Sequence, residues 1–160
     1  MIKILFVCHG NICRSPMAEF VFRDLVRKNG MGHLFEVASA ATSTEEIGNP
    51  VHPGTRRILS QHGISTEGKY SRQLTRSDDQ YYDYLIGMDE RNVLNMNRIL
   101  GKDAKNKIHK LLDYTGEYRD IADPWYTGDF EKTYEDVWNG CVALINQISR
   151  DYGLPMDESK

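Results

Sequence analysis

Cys8 and Arg14 are separated by five residues in the segment CHGNICRS, residues 8–15. An apolar run, residues 2–7, precedes this segment, and a predicted helix begins at Pro16. A turn between a strand and a helix can bind phosphate, because the loop amides and the helix N-terminus point at one spot. The segment therefore predicts a phosphate-binding loop with a cysteine nucleophile at its floor.

The predicted nucleophile, Cys8, needs to be a thiolate, whereas a free cysteine is mostly protonated at neutral pH. The helix N-terminus, the loop amides and the Ser15 hydroxyl can together stabilise a thiolate. A stabilised thiolate is also a good leaving group when water later cleaves a phosphocysteine, and Ser15 fits a role in that step. Arg14 can hold two phosphoryl oxygens, because its planar guanidinium suits bidentate binding.

A general acid is needed to protonate the leaving group, and a positioned carboxylic acid typically contributes about 10² to 10⁴ in rate. Asp123 is the candidate, although spacing alone does not separate it from Asp120 or Asp129 in the same region. The proline that follows Asp123 restricts its backbone. Trp125 and Tyr126 could form walls around a flat aromatic substrate.

Strands and helices alternate along the chain, which predicts an α/β fold with a parallel sheet and crossover helices. The predicted strands are residues 2–7, 35–39, 84–88 and 108–112. The predicted helices are residues 16–29, 53–62, a helix capped by Asp89 that runs to residue 100, and residues 130–151. These elements suffice for a small doubly wound four-stranded parallel sheet with helices on both faces.

The long irregular stretch, residues 113–129, is predicted to be functional, because ordered loops of that length rarely serve only as connections. Ligands of open parallel sheets bind beyond the carboxyl ends of the strands. Cys8 and Asp123 are therefore expected at the same edge of the sheet.

The length of 160 residues predicts a single domain, residues 1–155, followed by a frayed tail, residues 156–160. The net charge is −3 and the basic residues are scattered, which argues against nucleic acid as the main partner. No apolar run reaches the roughly 18 residues that span a bilayer, and no signal peptide is recognisable, so we expect a cytoplasmic protein without a membrane segment.

Three cysteines make a poor disulfide framework and are typical of a reducing compartment. Cys141 lies on the apolar face of the last helix and is expected to serve packing alone. Cys8 and Cys13 are separated by four residues, and no second pair of metal ligands follows, so neither a metal nor another cofactor is expected.

The chain resembles the low-molecular-weight protein tyrosine phosphatases over nearly its whole length. The motifs that carry the resemblance are VCHGNICRSP (residues 7–16), SAATS (39–43), EIGNP (46–50), HGI (62–64), MDE (88–90) and DPWY (123–126). The resemblance implies a flavodoxin-like fold of the phosphotyrosine protein phosphatase I-like type, and a phosphocysteine intermediate. It also implies phosphotyrosine-containing proteins as substrates, with Cys8 as nucleophile, Arg14 on the phosphate and Asp123 as general acid.

Further site residues are expected around the loop and the substrate pocket. Asn11 and Ser39 are implied to belong to a hydrogen-bond network that holds the loop, and Cys13 to form a reversible disulfide with Cys8. The residues assigned to phosphate binding and loop support are His9, Gly10, Asn11, Ile12, Cys13, Ser15 and Ser39. Those assigned to the substrate pocket are Glu46, Trp125 and Tyr126.

Two departures from the family pattern bear on substrate preference: Trp125 replaces a frequent tyrosine, and residues 65–70 form a segment one residue longer.

Three alternative functions stay open at this point. An arsenate reductase generally relays a disulfide through further cysteines, and residues 82–91 contain none. An arginine phosphatase tends to have threonine in place of Ile12. A phosphate-dependent binding module would be expected to lose Cys8 or Asp123. The sequence carries no signal for an oligomeric state.

Overall fold

A computed structural model describes residues 1–101 and 106–154 of the chain. The strands are β1 (Ile2–Cys8), β2 (Phe35–Ala41), β3 (Tyr84–Gly87) and β4 (Ile108–Lys110). The α-helices are α1 (Arg14–Lys28), α2 (Pro53–Gln61), α3 (Asp78–Tyr81), α4 (Glu90–Leu100), α5 (Pro124–Thr127) and α6 (Phe130–Tyr152). In the described residues, 3₁₀ helices span Gly32–Leu34 and Leu111–Thr115.

The four strands form one parallel sheet in the order β2-β1-β3-β4. β1 is central and pairs with β2 on one side and β3 on the other, so that Cys8 lies beside Ala41 and Val7 beside Gly87. This is the doubly wound, flavodoxin-like order with its switch point at the end of β1. The predicted fold class is confirmed, and the switch point lies where the loop with the chemistry begins.

Helices cover both faces of the sheet. Successive side chains of β1 point to opposite faces, so this strand contributes to two cores. Ile4, Phe6 and Cys8 belong to the larger core, which α1 and α6 close. Leu5 and Val7 belong to the smaller core on the side of α4. All these β1 side chains are buried, which explains why the strand reads as a continuous apolar run.

Several predicted element bounds were wrong, and the following bear on the site. α1 begins at Arg14 rather than at Pro16, so the arginine lies in the first helical turn. The strand predicted over residues 108–112 ends at residue 110, because Leu111 and Leu112 turn into a 3₁₀ helix that buries both side chains. The stretch 113–129 is not wholly irregular, because it contains the end of that 3₁₀ helix and the single turn α5.

Two other expectations concern the packing and the end of the chain. Cys141 is fully buried in the larger core, as predicted. The predicted frayed tail, residues 156–160, lies outside the described residues. Within residues 1–101 and 106–154, none of the helices has the length and apolar character needed to cross a bilayer.

Gly140 of α6 provides a test of this packing. A Cβ at this position would lie 2.5 Å from Leu111 Cγ, a fully buried side chain. Overpacking costs about 1–3 kcal/mol, whereas replacing glycine by alanine in a helix gains about 1 kcal/mol. The net effect is a loss of up to about 2 kcal/mol, and the 2.5 Å approach places Gly140→Ala towards the upper end, so we expect this variant to lower the free energy of unfolding in urea. The exposed neighbour Asn139→Ala should change it by less than about 0.5 kcal/mol. Equal stability of the two variants would contradict this packing.

Candidate active site

The loop between β1 and α1, residues 9–13, surrounds the sulfur of Cys8. The Asn11 backbone N–H donates a hydrogen bond to Cys8 Sγ at 3.3 Å, and Ser15 Oγ lies 3.0 Å from the sulfur. Ser15 Oγ accepts a hydrogen bond from Asn11 Nδ2 at 2.7 Å, so its own hydrogen is available to the sulfur. Two donors can thus stabilise negative charge on Cys8.

Asn11 holds the loop in its turn. Its backbone φ is +57°, a left-handed conformation that asparagine adopts more readily than most residues. Its side-chain amide also donates to Ser39 Oγ at 2.9 Å, and its Oδ1 accepts the backbone N–H of Arg72 at 3.3 Å. With both amide hydrogens used and the side chain buried, Asn11 connects the loop to β2 and to the segment before α3.

A buried carboxylate continues this network behind the loop. Ser39 Oγ donates to Glu19 Oε1 at 2.6 Å, and Glu19 is 3% exposed. Glu19 pairs with Arg23 at 2.6 Å and with Lys69 at 3.3 Å. Burial lowers the pKa of Lys69, although Glu19 opposes this shift. The segment of residues 65–70 therefore reaches the back of the loop through Lys69.

The loop carbonyls accept hydrogen bonds from neighbouring segments, an arrangement that turns the peptide N–H groups towards the pocket. The bonds are Ser43 Oγ to His9 O at 2.9 Å, Ser71 Oγ to Gly10 O at 2.8 Å, His52 N to Ile12 O at 2.9 Å and Thr55 Oγ1 to Cys13 O at 3.1 Å. Together with the N-terminus of α1, inward N–H groups form a concave anion-binding surface.

Arg14 is 2% exposed and its guanidinium is fixed by three contacts. Nη1 donates to Asp89 Oδ2 at 2.7 Å and to Ile121 O at 2.9 Å, and Nη2 lies 3.5 Å from Asp123 Oδ2. Burial by itself would lower the pKa of Arg14, but a Cys8 thiolate and Asp89 outweigh it and raise the pKa above its usual value. The guanidinium is therefore a permanent positive charge beside the sulfur.

The structure distinguishes the three aspartates that spacing alone did not separate. Asp123 faces Arg14 and borders the same pocket as Cys8. Asp120 instead pairs with Lys110 at 3.1 Å, and Asp129 caps the first turn of α6. Of the three, only Asp123 borders this pocket.

The pocket above Cys8 encloses about 110 Å³. Its lining residues are Cys8, His9, Gly10, Ile12, Cys13, Arg14, Glu45, Glu46, Asp123, Trp125 and Tyr126. Of the predicted site residues, Asn11, Ser15 and Ser39 lie outside this lining and act through hydrogen bonds. Trp125 and Tyr126 are 57% and 84% exposed, so they form the rim of the pocket.

Two site residues were missed by the sequence reasoning. Asp89 was predicted only as a helix cap, yet it also forms an ion pair with Arg14. The available signal was its position directly after a strand, at the edge of the sheet where ligands bind. Glu45 was not singled out, although it pairs with His9 at 2.8 Å on the pocket rim. No local pattern marks Glu45, because the pairing joins residues from two different loops.

Larger cavities than this pocket exist elsewhere on the protein, including one of about 580 Å³ beside residues 63–70. That cavity contains neither the cysteine nor the arginine of the loop, so size alone does not identify the site. Within residues 1–101 and 106–154, no group of three or more His, Cys, Asp or Glu side chains is arranged to hold a metal ion.

Comparisons with known proteins agree with this geometry. A family model described as low molecular weight phosphotyrosine protein phosphatase matches residues 3–154. The low molecular weight protein-tyrosine-phosphatase YfkJ of Bacillus subtilis is 42% identical over 156 residues, covering 96% of this chain and all of the relative. PtpA of Staphylococcus aureus, a relative with the same description, is 38% identical over 96% of this chain and 98% of its own length.

Solved structures give the same result. The crystal structure of YfkJ superposes with a TM-score of 0.91 at 42% identity, covering 94% of this chain and 96% of that one. The low molecular weight protein tyrosine phosphatase of Streptococcus pyogenes superposes with a TM-score of 0.86 at 40% identity, covering 98% of this chain and all of the other.

The two cysteines of the loop should differ in reactivity. Both are free thiols, but burial and the negative charge of a Cys8 thiolate raise the pKa of Cys13 to about 12. Cys13 therefore stays protonated, and unreactive towards alkylation, at pH values well below 12. We expect iodoacetamide at pH 8 to modify Cys8 first, as read by mass spectrometry of peptides, and to leave Cys13 intact in both the wild type and Cys8→Ser. Alkylation of Cys13 in folded Cys8→Ser would contradict this assignment.

Proposed function

The chain belongs to the family of low-molecular-weight phosphotyrosine protein phosphatases and is itself a protein-tyrosine phosphatase, and we propose that it acts through a phosphocysteine on Cys8. The observation that carries the proposal is the single pocket in which Cys8, Arg14 and Asp123 meet. The three side chains supply a nucleophile, a guanidinium that binds phosphate and a proton donor. These are the groups that phosphoryl transfer from a phenol requires.

In the first step, the Cys8 thiolate attacks phosphorus. The S–P bond forms as the bond from phosphorus to the tyrosine oxygen breaks, and protonated Asp123 transfers its proton to the departing phenolate. The hydrogen bonds from Asn11 N–H and Ser15 support this role, because they hold charge on the sulfur before attack.

Arg14 holds the transferring phosphoryl group. The contacts to Asp89 and Ile121 occupy both N–H groups of Nη1. This leaves the Nε side of the planar fork for two phosphoryl oxygens, and the loop amides for the others. Since these donors are fixed before the substrate binds, little reorganisation is needed as charge spreads over the oxygens in the transition state.

In the second step, water cleaves the phosphocysteine. Asp123, now a carboxylate, takes a proton from the attacking water; the water oxygen bonds to phosphorus as the S–P bond breaks, and phosphate is released. Cys8 returns as a thiolate. Ser15 and the Asn11 N–H stabilise this leaving thiolate. The same two contacts stabilise the thiolate before its attack in the first step.

Phosphotyrosine in proteins is the substrate that the pocket supports best. Cys8 is only 3% exposed at the pocket floor, so the phosphate must be carried by a side chain that reaches in from the rim. The Ile12 side chain and the exposed Trp125 offer apolar contact to an aromatic ring. Trp125 is backed by His52, whose ring centroid lies 5.6 Å from that of the indole.

We also propose that this activity resides in one domain, residues 1–155, and operates in the cytoplasm. The single sheet, and a family match that runs over residues 3–154, support one domain. The mechanism needs a reduced Cys8, and a reducing compartment maintains thiols in that state.

The first test is phosphate release from a phosphotyrosine peptide between pH 5 and 8 with chelator present. We expect phosphate release by the wild type to be independent of added metal. Release by Cys8→Ser should fall to the uncatalysed background, because the serine oxygen cannot replace the thiolate. Both proteins should unfold at similar temperatures. Activity retained in Cys8→Ser would rule out Cys8 as nucleophile; a wild type active only on phosphoarginine or arsenate would instead favour those substrates.

The second test concerns the proton donor. Asp123→Asn keeps the shape of the side chain and its ability to accept the Trp125 N–H bond, but it cannot donate the acidic proton. We expect kcat/KM for phenyl phosphate to fall by about 10² to 10⁴. The matched variant Asp129→Asn retains the cap of α6 and should stay within about threefold of wild type. A similar loss in both variants would show that the effect comes from the loop and not from proton transfer.

A further inference from the structure

The segment that leads into Asp123 is joined to α6 by an ion pair. Arg119 Nη2 donates to Asp136 Oδ1 at 2.7 Å and Nη1 donates to Oδ2 at 3.1 Å. This two-bond geometry is a bidentate salt bridge between a guanidinium and a carboxylate. Asp136 is 3% exposed, so its charge is costly to bury without such a partner.

The five residues from Arg119 to Asp123 contain no helix or strand of their own, and several of them are held by separate contacts. Asp120 is held by Lys110 at 3.1 Å and accepts the Glu90 N–H at 3.0 Å. Ile121 is 1% exposed, and its N–H donates to Met88 O at 2.9 Å. These contacts tie the segment to the β3 and β4 side of the site.

Arg119 connects the segment in the other direction, to α6, from which Thr133 Oγ1 also makes a long contact of 3.5 Å to Ala122 O. The chain leaves Asp123 through α5 and enters α6, which extends for 23 residues across the larger core. The Arg119–Asp136 pair joins the beginning of this loop to the helix at its end. The backbone that carries the acid is thus anchored on both sides.

The Asp123 carboxyl group has little else to fix it. One oxygen accepts the Trp125 N–H within the same turn, and the other lies 3.5 Å from Arg14, a long contact. The position of the carboxyl therefore follows the position of its backbone. A shift of about 1 Å in a reacting group can cost about a hundredfold in rate.

We propose that Arg119 and Asp136 are positioning residues, which hold Asp123 at the distance from the leaving-group oxygen that proton transfer requires. The proposal rests on the role of Asp123 as general acid. It assigns a function in catalysis to an ion pair that touches neither substrate nor the reacting atoms.

The test compares two substrates that differ in their need for a proton. Phenyl phosphate releases a basic phenolate, whereas 2,4-dinitrophenyl phosphate releases a weakly basic one that departs without protonation. Values of kcat/KM report the first step, in which this bond breaks. We expect Arg119→Met to lose about 10- to 100-fold in kcat/KM on phenyl phosphate and less than about threefold on the dinitrophenyl ester.

Three further variants separate positioning from charge and from stability. Lys132→Met removes the other cation near Asp136, 3.4 Å away, but Lys132 lies on α6 itself and not on the loop, so no selective loss is expected. Arg119→Lys keeps the charge without the two-bond geometry and should recover part of the lost activity. Asp136→Asn should reproduce the selective loss even if its melting temperature falls.

Each outcome is informative. Equal losses on both substrates in Arg119→Met and Asp136→Asn would mean that the pair only stabilises the fold, and would overturn the proposal, as would a selective loss in Lys132→Met. The proposed function fails separately: if Asp123→Asn itself shows no selectivity for phenyl phosphate, Asp123 is not the acid. A selective loss in Asp123→Asn without one in Arg119→Met would overturn only the positioning role.

Discussion

The site depends on one constraint: the chain must pass from the buried end of β1 into α1 within a short loop, with its amide hydrogens turned towards the sulfur. Such a turn needs a residue in the left-handed region, and here that residue is Asn11 rather than a glycine. The conformational cost for an L-residue, roughly 1–3 kcal/mol, is offset by buried hydrogen bonds of its side chain. The bonds from Asn11 to Ser15 and Ser39 also connect the turn to the helix that follows and to the neighbouring strand.

The rest of the sheet can be understood as support for that turn. The parallel register sets Ser39 of β2 beside Phe6 of β1, two residues before the cysteine, so the Ser39 hydroxyl lies beneath the loop. Glu19, one helical turn into α1, completes the chain of hydrogen bonds from the other side. A carboxylate this deeply buried is stable only because Arg23 and Lys69 compensate its charge. The order of the strands, the position of Glu19 on α1 and its buried ion pairs thus all support the same loop.

The sequence predicts those parts of the molecule that local chemistry determines. The apolar run of β1, the helix caps and the spacing of Cys8 and Arg14 each depend on neighbouring residues, and the fold class followed from them. The short β4 was mispredicted, because a 3₁₀ helix and an apolar strand both bury consecutive leucines. Pairings such as His9 with Glu45, 36 residues apart, leave no local pattern at all. For the same reason spacing alone did not separate Asp123 from Asp120 and Asp129, and the sequence favoured Asp123 only through the residues that follow it.

The two carboxylates beside Arg14 differ in a way that suits a site which must bind an anion and then release it. Asp89 contacts Nη1 at 2.7 Å, on the side of the guanidinium that also holds a backbone carbonyl, so this contact orients the fork. Asp123 contacts Nη2 at 3.5 Å, a distance at which a hydrogen bond is weak. Phosphoryl oxygens can therefore replace Asp123 at the guanidinium at little cost, without loosening Asp89. In the proposed mechanism, the carboxyl group displaced in this way is left beside the bound substrate, where it protonates the leaving-group oxygen.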